Sequence, residues 1–370
     1  MSPAAVAQQP DIEAAVHGLV LMNAFHTSDK VNNSDVPQFA VPADPADNPA
    51  AGASGGTVRQ SRVTVTALVP DFARGALHGE LDADFYGGQQ PSTGGRTFPL
   101  LRIRRAFAEL TWNRIALLVG QESPPIAMVS PSSLASIGFP GFAGAGNLWL
   151  WLPQVRLSGD LAPRGSLRLG AELAALAPTS GDPQGTFLTQ PDIAERSGRP
   201  FIQGRLRARW GGPEEPGELS VGGHYGWIVD LAGDRVPSRA AAVSLWTPLS
   251  RWVEVRAEGF TGQALAGLGG GGVGQNMVRD GIPVRTTGGW LQLNLRPSLA
   301  WEVGGGMGID DPDDDDLLPT SRLRNRVVEG HFLWRRAPLV VGAEVRELRT
   351  RHQVGSRSAV HGNLGVGFEF

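Results

Sequence analysis

Leu364-Gly365-Val366-Gly367-Phe368-Glu369-Phe370, the last seven residues, decide how the chain is read. The even-numbered positions are apolar, glycine or glutamate stands between them, and the run stops on a bare aromatic. Alternation with period two is the pattern of a strand with one apolar face. A soluble edge strand can carry it too, so the weight falls on whether the remainder of the chain repeats it.

It does. Alternating runs bounded by Gly, Pro, Asp and Ser clusters predict sixteen strands, at 14–26, 57–70, 75–88, 99–112, 114–122, 147–159, 163–177, 198–211, 215–231, 236–248, 251–264, 283–296, 299–310, 321–336, 337–350 and 357–370. Their connections alternate in length. Long stretches at 27–56, 89–98, 123–146, 178–197, 265–282 and 311–320 take turns with short ones such as Asp71-Phe72-Ala73-Arg74, Trp112-Asn113, Gly159-Asp160-Leu161-Ala162, Gly211-Gly212-Pro213-Glu214, Pro248-Leu249-Ser250, Arg296-Pro297-Ser298 and Arg336-Ala337-Pro338. A transmembrane barrel sorts its loops in this way, with short turns in the periplasm and long loops outside. A soluble sandwich has no reason to. The reading is therefore all-β, a 16-stranded antiparallel transmembrane barrel occupying residues 14–370, with both termini in the periplasm.

Within strands the faces separate. In the third, His78, Glu80, Asp82, Asp84 and Tyr86 alternate with Leu77, Gly79, Leu81, Ala83 and Phe85; in the eighth, Phe201, Gln203, Arg205, Arg207 and Arg209 alternate with Ile202, Gly204, Leu206, Ala208 and Trp210. Charges on one face of strand after strand require water there, and with about sixteen strands that water fills a lumen able to pass solutes. Aromatics near strand ends, Trp112, Trp149, Trp151, Trp210, Trp227, Trp246, Trp252 and Phe370, read as interfacial girdles.

Composition agrees. The 370 residues include 50 Gly and 28 Pro, which supply turns, and no Cys. No run approaches the roughly 18 to 20 apolar residues of a membrane-spanning helix. A net charge of -3 argues against a nucleic-acid partner. Lys30 is the single lysine among 33 basic residues, so the cations are guanidiniums, suited to bidentate contact with carboxylate or phosphate. Residues 1–13 read as the tail of a secretory signal with Ala5-Val6-Ala7 as an A-x-A site, its earlier regions missing through a late start or trimming.

A terminal strand ending on Phe370 resembles the habitual ending of outer-membrane barrels, the signal read by the barrel-insertion machinery. The string Arg102-Ile103-Arg104-Arg105-Ala106-Phe107-Ala108-Glu109-Leu110, followed by Leu117-Leu118-Val119-Gly120-Gln121, resembles the DcaP-like porins. Supporting it are Gln60-Ser61-Arg62, Gly79-Glu80-Leu81-Asp82-Ala83-Asp84-Phe85-Tyr86-Gly87-Gly88 and Pro153-Gln154-Val155-Arg156. These strings cover about a third of the chain, in order. The resemblance implies an outer-membrane channel, a homotrimer, with affinity for small dicarboxylates and similar anions and with lipid and lipopolysaccharide around it. The chain departs from the family at Glu122-Ser123-Pro124-Pro125, where an aromatic is expected, and the family's N-terminal coiled coil has no counterpart among these residues.

Selectivity is expected in the lumen. The connection from Pro124 to Gly146 carries no charge, which suits a loop folded inward to constrict the pore. Inward-phase arginines are Arg62, Arg156, Arg168, Arg205, Arg207 and Arg209, joined by Arg102 and Arg104 although Arg105 and Glu109 fall on the opposite phase. Such an array attracts anions. Alternatively the same arginines pair with Glu80, Asp82, Asp84, Glu172 and Glu258 across the wall. Arg205 and Arg207, two apart on one strand, project to one face about 6 to 7 Å apart, a spacing that suits the two carboxylates of a short diacid.

The run Asp310-Asp311-Pro312-Asp313-Asp314-Asp315-Asp316 lacks the spaced ligands of a Ca²⁺ loop and reads as a solvated loop bridged to lipopolysaccharide. The Gly267–Gly274 stretch has no Lys-Ser or Lys-Thr after it and reads as a flexible loop rather than a phosphate cradle. Seven scattered histidines form no catalytic motif. The expectation is a channel that needs no cofactor or metal and is not an enzyme; an alternative is a plugged barrel with a structural, adhesion or assembly role.

Overall fold

A computed structural model describes residues 11–42, 52–87, 99–161, 163, 165–181, 190–212 and 216–370. The Ala5-Val6-Ala7 site, the connection at 89–98 and parts of two predicted turns (Ala162, Pro213 and Glu214) lie outside them. Sixteen antiparallel strands close into one barrel. They are β1 (Glu13–Thr27), β2 in two segments (Ala53–Thr57 and Arg62–Phe72), β3 (Gly75–Asp84), β4 (Arg102–Trp112), β5 (Ile115–Glu122), β6 (Leu152–Asp160), β7 (Arg168–Leu176), β8 (Phe201–Trp210), β9 (Gly217–Val229), β10 (Arg235–Ser250), β11 (Val253–Gln263), β12 (Arg285–Ser298), β13 (Trp301–Pro312), β14 (Arg322–Arg336), β15 (Leu339–His352) and β16 (Gly355–Glu369). Consecutive strands pair, and β1 closes on β16 from Leu19↔Glu369 to Thr27↔His361. Closure leaves no unpaired edge, which a bilayer would not tolerate.

Alternation decides which way each side chain points. Val20, Val119, Leu173, Leu206, Val303 and Leu364 face outward and are exposed on the lipid side, while their neighbours in sequence face the lumen. Among the described residues no helix is long and apolar enough to cross a membrane. At the short-turn end Trp301 packs against Phe332 and Trp334, and Phe368 against Phe370, on the outer wall. Trp112 and Trp210 end strands at that same rim, and Trp252 lies in the turn just before Val253. Tyr225 and Trp227 pack together at the long-loop end.

Three girdle assignments fail. Trp246 has the lumenal phase of β10 and donates its indole N–H to Glu254 at 2.9 Å. Trp149 and Trp151 lie beyond the wall, on the connection between β5 and β6, which is why β6 begins at Leu152 and not at 147. An aromatic near a predicted strand end marks an interface only if its phase is outward, and phase depends on where the strand begins.

Two interruptions shape the inner surface. β2 breaks at residues 58–61, where Arg59, Gln60 and Ser61 turn inward and are buried. The Ser61 hydroxyl stands in for the missing ladder, accepting from Leu21 N at 3.0 Å and donating to Leu21 O at 3.3 Å. In β4 the pairing slips from Asp82↔Arg105 to Ala83↔Ile103, so Arg104 is the extra residue of a β-bulge. A bulge moves one residue out of alternation. It carries Arg102, Arg104 and Arg105 onto the same lumenal face, with Ile103 outward and 51% exposed.

Candidate functional site

The connection at residues 123–151 crosses the lumen. Ile126 N donates to Gln203 Oε1 on β8 (3.3 Å) and Leu148 N to Glu258 Oε1 on β11 (3.0 Å). Ser132 meets Gln292 on β12 (2.7 Å) and Glu302 on β13 (2.5 Å), and Ser133 meets Glu344 on β15 (2.5 Å). Gln60 accepts from Ile137 N and Gly138 N and donates to Ala135 O, closing the traverse on the opposite wall. Because the segment has no charge of its own, its backbone amides and serine hydroxyls satisfy wall carboxylates and amides that would otherwise face an empty interior. Apolar residues anchor its ends: Ile126 packs with Leu176 and Phe201, and Leu134 with Leu21, Leu333 and Val340. The inward fold expected from its composition is what the structure shows.

Other long connections join it. Residues 265–274 are packed, with Leu265, Leu268 and Val273 buried, so the glycine-rich stretch is not the flexible loop expected from its composition. Its glycines permit close approach: a side chain at Gly269, whose φ is +105°, would run into the backbone of Trp149 and Leu150. The acidic run is also not simply solvated. Asp310 is buried and accepts from Thr286 and Val273, while Asp311 pairs with Arg324 at 2.6 Å, Asp314 with Arg351 at 2.7 Å and Asp316 with Arg285 at 2.8 Å.

Charged side chains on the wall form two lattices. In the first, Arg62 binds Asp82 (2.6 Å), Arg102 binds Asp84 (2.6 Å), and Arg105 bridges Glu80, Asp82 and Glu122. Arg104 lies at 4.0 Å from Asp82 and 3.9 Å from Asp84, with its Nε and Nη1 lacking hydrogen-bond partners among the described residues. It stacks at 4.5 Å on the Trp151 ring, while Arg102 lies over Tyr86, Phe139 and Trp151. Cation–π contact offsets part of the cost of burying these guanidiniums. The sequence reading missed Arg105 and the stacking rings, because the bulge and the inward loop are both needed to bring them here.

In the second lattice, Glu172, in register with Arg205, accepts from Arg205 at 2.8 Å and also from Arg207. Arg207 reaches Asp160 (2.7 Å) and Arg205 reaches Glu218 (3.0 Å), which also holds Arg209 (2.6 Å). The slot between Arg205 and Arg207, expected to take a diacid, is therefore filled by a wall carboxylate. Two guanidiniums on one face need a counter-charge nearby, and the adjacent strand supplies it. Arg168 has the lumenal phase but sits exposed at the short-turn end, and Arg156 is buried against Ser123 O and Met128. Among the described residues Glu258 pairs with no arginine; it accepts from Leu148 N.

A lumenal cavity of about 370 Å³ opens beside this lattice, lined by Met128, Val129 and Ser130 of the crossing segment and by Arg205, Arg209, Glu218, Trp246 and Arg256 of the wall. Three guanidiniums face one carboxylate there. Among the described residues no cluster of His, Asp and Glu is placed to hold a metal.

Comparison with solved structures places the fold. The outer-membrane channel DcaP of Acinetobacter baumannii superposes with a TM-score of 0.72 at 18% identity, over 97% of each chain. This chain shares the barrel fold of that channel. An anion-selective porin from Comamonas acidovorans matches at TM-score 0.61 and 11% identity over 97% of this chain and 100% of that chain. A trimer form of OmpT of Vibrio cholerae matches at 0.57 and 8%, over 97% and 99%. No family model and no curated protein matches the sequence. A closed sixteen-stranded barrel with an apolar outer band has the build of an outer-membrane barrel.

Proposed function

We propose that the barrel is a diffusion channel for small anionic solutes such as dicarboxylates, assembled as a homotrimer. The observation that carries this reading is the lumenal cavity beside the crossing segment, where Arg205, Arg209 and Arg256 outnumber Glu218. An entering carboxylate exchanges part of its hydration for charge-assisted contacts with these guanidiniums. Each of them already has a carboxylate partner, Glu172, Glu218 or Glu254. Competition from those partners keeps the solute's residence short, as conduction requires.

Arg209 and Arg256 are the residues to change, since Arg209 is half-exposed and neither sits in the buried Glu172 pair. In planar bilayers under a salt gradient, the wild type is expected to favour anions, and Arg209→Gln with Arg256→Gln to reduce that preference and the block of current by succinate. A wild type that prefers cations overturns the proposal. Conductance steps grouped in threes support the trimer.

The second reading, a plugged barrel with a structural, adhesion or assembly role, draws on the hydrogen bonds that tie residues 123–151 to opposite walls. A folded barrel that inserts and stays electrically silent would favour it. The terminal strand through Phe370 is proposed as the segment that the insertion machinery reads; Phe370 is exposed at the rim.

A further inference from the structure

On the outer wall near the long loops, Arg326 of β14 lies directly opposite Arg349 of β15. Both side chains point outward and are exposed, and neither has a carboxylate partner among the described residues. Like charges directly opposite on paired strands, about 5 Å apart, repel. An anion held between them would relieve the repulsion.

Depth identifies the anion's source. From Trp334, in the aromatic cluster of the short-turn rim, to Arg326 is eight residues of one strand. That is about 26 Å along the strand and roughly 20 Å along the membrane normal at the usual tilt. The arginines thus stand at the upper edge of an apolar band roughly 25 Å tall. One rung below, Met307, Val328 and Val360 flank Glu347 in register.

Beside the pair, separated from it only by Ile309, the outer wall is hollowed into a groove of about 1120 Å³. Its floor is small (Ala241, Thr261, Gly289) and its lower side apolar (Leu291, Met307). Its upper rim carries Arg239, Arg285, Arg324 and Arg351 together with Asp311, Asp313 and Asp314. Among the described residues Arg239 has only Gln263 as partner, at 3.3 Å, whereas the other three are paired with aspartates. Guanidiniums above and an acyl-sized hollow below repeat the polarity of one phosphorylated lipid standing in the outer leaflet.

We infer that this wall is a binding site for a phosphorylated outer-leaflet glycolipid, its phosphate between Arg326 and Arg349 and an acyl chain in the groove. The test uses the purified full-length barrel in detergent. Diphosphoryl lipid A, dephosphorylated lipid A and inorganic phosphate are the probes, and bound lipid is counted by native mass spectrometry. Diphosphoryl lipid A is expected to stay bound, and Arg326→Gln with Arg349→Gln to weaken it roughly tenfold or more. Dephosphorylated lipid should bind both proteins weakly, and the charge-retaining Arg326→Lys with Arg349→Lys variant should keep its lipid. Equal affinity in wild type and Gln variant overturns the site. Displacement by an equal concentration of inorganic phosphate also overturns it, as a site for soluble anions. A Gln variant that loses subunit association while keeping lipid overturns it as a face belonging to a second copy of the chain.

Discussion

Gly18 and Phe370 exchange both backbone hydrogen bonds across the seam that closes the barrel, at 2.8 and 3.0 Å, and the Phe370 ring covers the space that a side chain at Gly18 would occupy. The last residue is thus stitched to the first strand, and the missing Cβ at Gly18 lets the aromatic lie flat on the wall.

Gly18→Val should displace the ring and strain the seam, at about 1–3 kcal/mol for an overpacked contact. The measure is the urea midpoint of the refolded protein in vesicles together with heat-modifiable migration on gels. An unchanged midpoint would show that the ring is free to move aside.

Glu172 is the counter-charge for Arg205 and Arg207, and all three side chains are buried. Changing both arginines to Ala leaves the carboxylate without a cation and is expected to cost about 3–5 kcal/mol. Adding Glu172→Gln should recover most of that loss, so the two effects are strongly non-additive. Simple additivity in urea unfolding would show that the pairing is weak. The triple variant is also the fair background for asking whether these positions influence diacid block.

Gln60→Ala removes the side chain that joins the broken second strand to Ala135, Ile137 and Gly138. Each donor or acceptor left unpaired in a buried site costs about 1–3 kcal/mol. The crossing segment should loosen at that end, seen as larger or noisier single-channel conductance with the barrel still folded. Identical conductance traces would show that apolar packing around Leu134 alone holds the segment.

Asp192 supplies a pH dependence outside the membrane-spanning strands. Burial works against its ionisation, but the backbone N–H groups of Glu195, Ser180 and Ala194 more than offset this and hold its carboxyl below the usual 3.8. A carboxyl with a lowered folded pKa stabilises its loop fully above the ordinary value, and that contribution fades as pH falls through the lowered one. Protection of the Ala194 and Glu195 amides in hydrogen exchange, corrected for intrinsic rate, should drop as pH falls below about 4. In Asp192→Ala it should be low throughout. Equal protection in the two proteins at neutral pH would remove the carboxylate from the account.

Much of the architecture was legible because period two and turn chemistry are local. A residue's phase within a strand follows from its neighbours, so the lumenal placement of Asp82, Asp84, Arg205 and Arg207 could be read directly. The fourth strand resisted that reading because a bulge breaks the count: Arg104 takes an extra place opposite Asp82 and Ala83, and nothing in Arg102-Ile103-Arg104-Arg105 marks it. The tryptophans failed for a related reason. Trp149 and Trp151 sit in a connection whose course depends on what Gln60, Glu258 and Gln292 offer from distant walls.

By itself, then, the sequence determined strand number, the order of long and short connections, the lipid and lumen faces and the uncharged character of the crossing segment, since each depends on a few consecutive residues. Only the tertiary structure decided how the charges are spent. Register between paired strands put Glu172 opposite Arg205 and Arg349 opposite Arg326, so one guanidinium is neutralised within the wall and another is left facing the membrane. A guanidinium's role depends on what lies within a few ångströms of it, and in a closed barrel that neighbour comes from another strand and another turn of the chain.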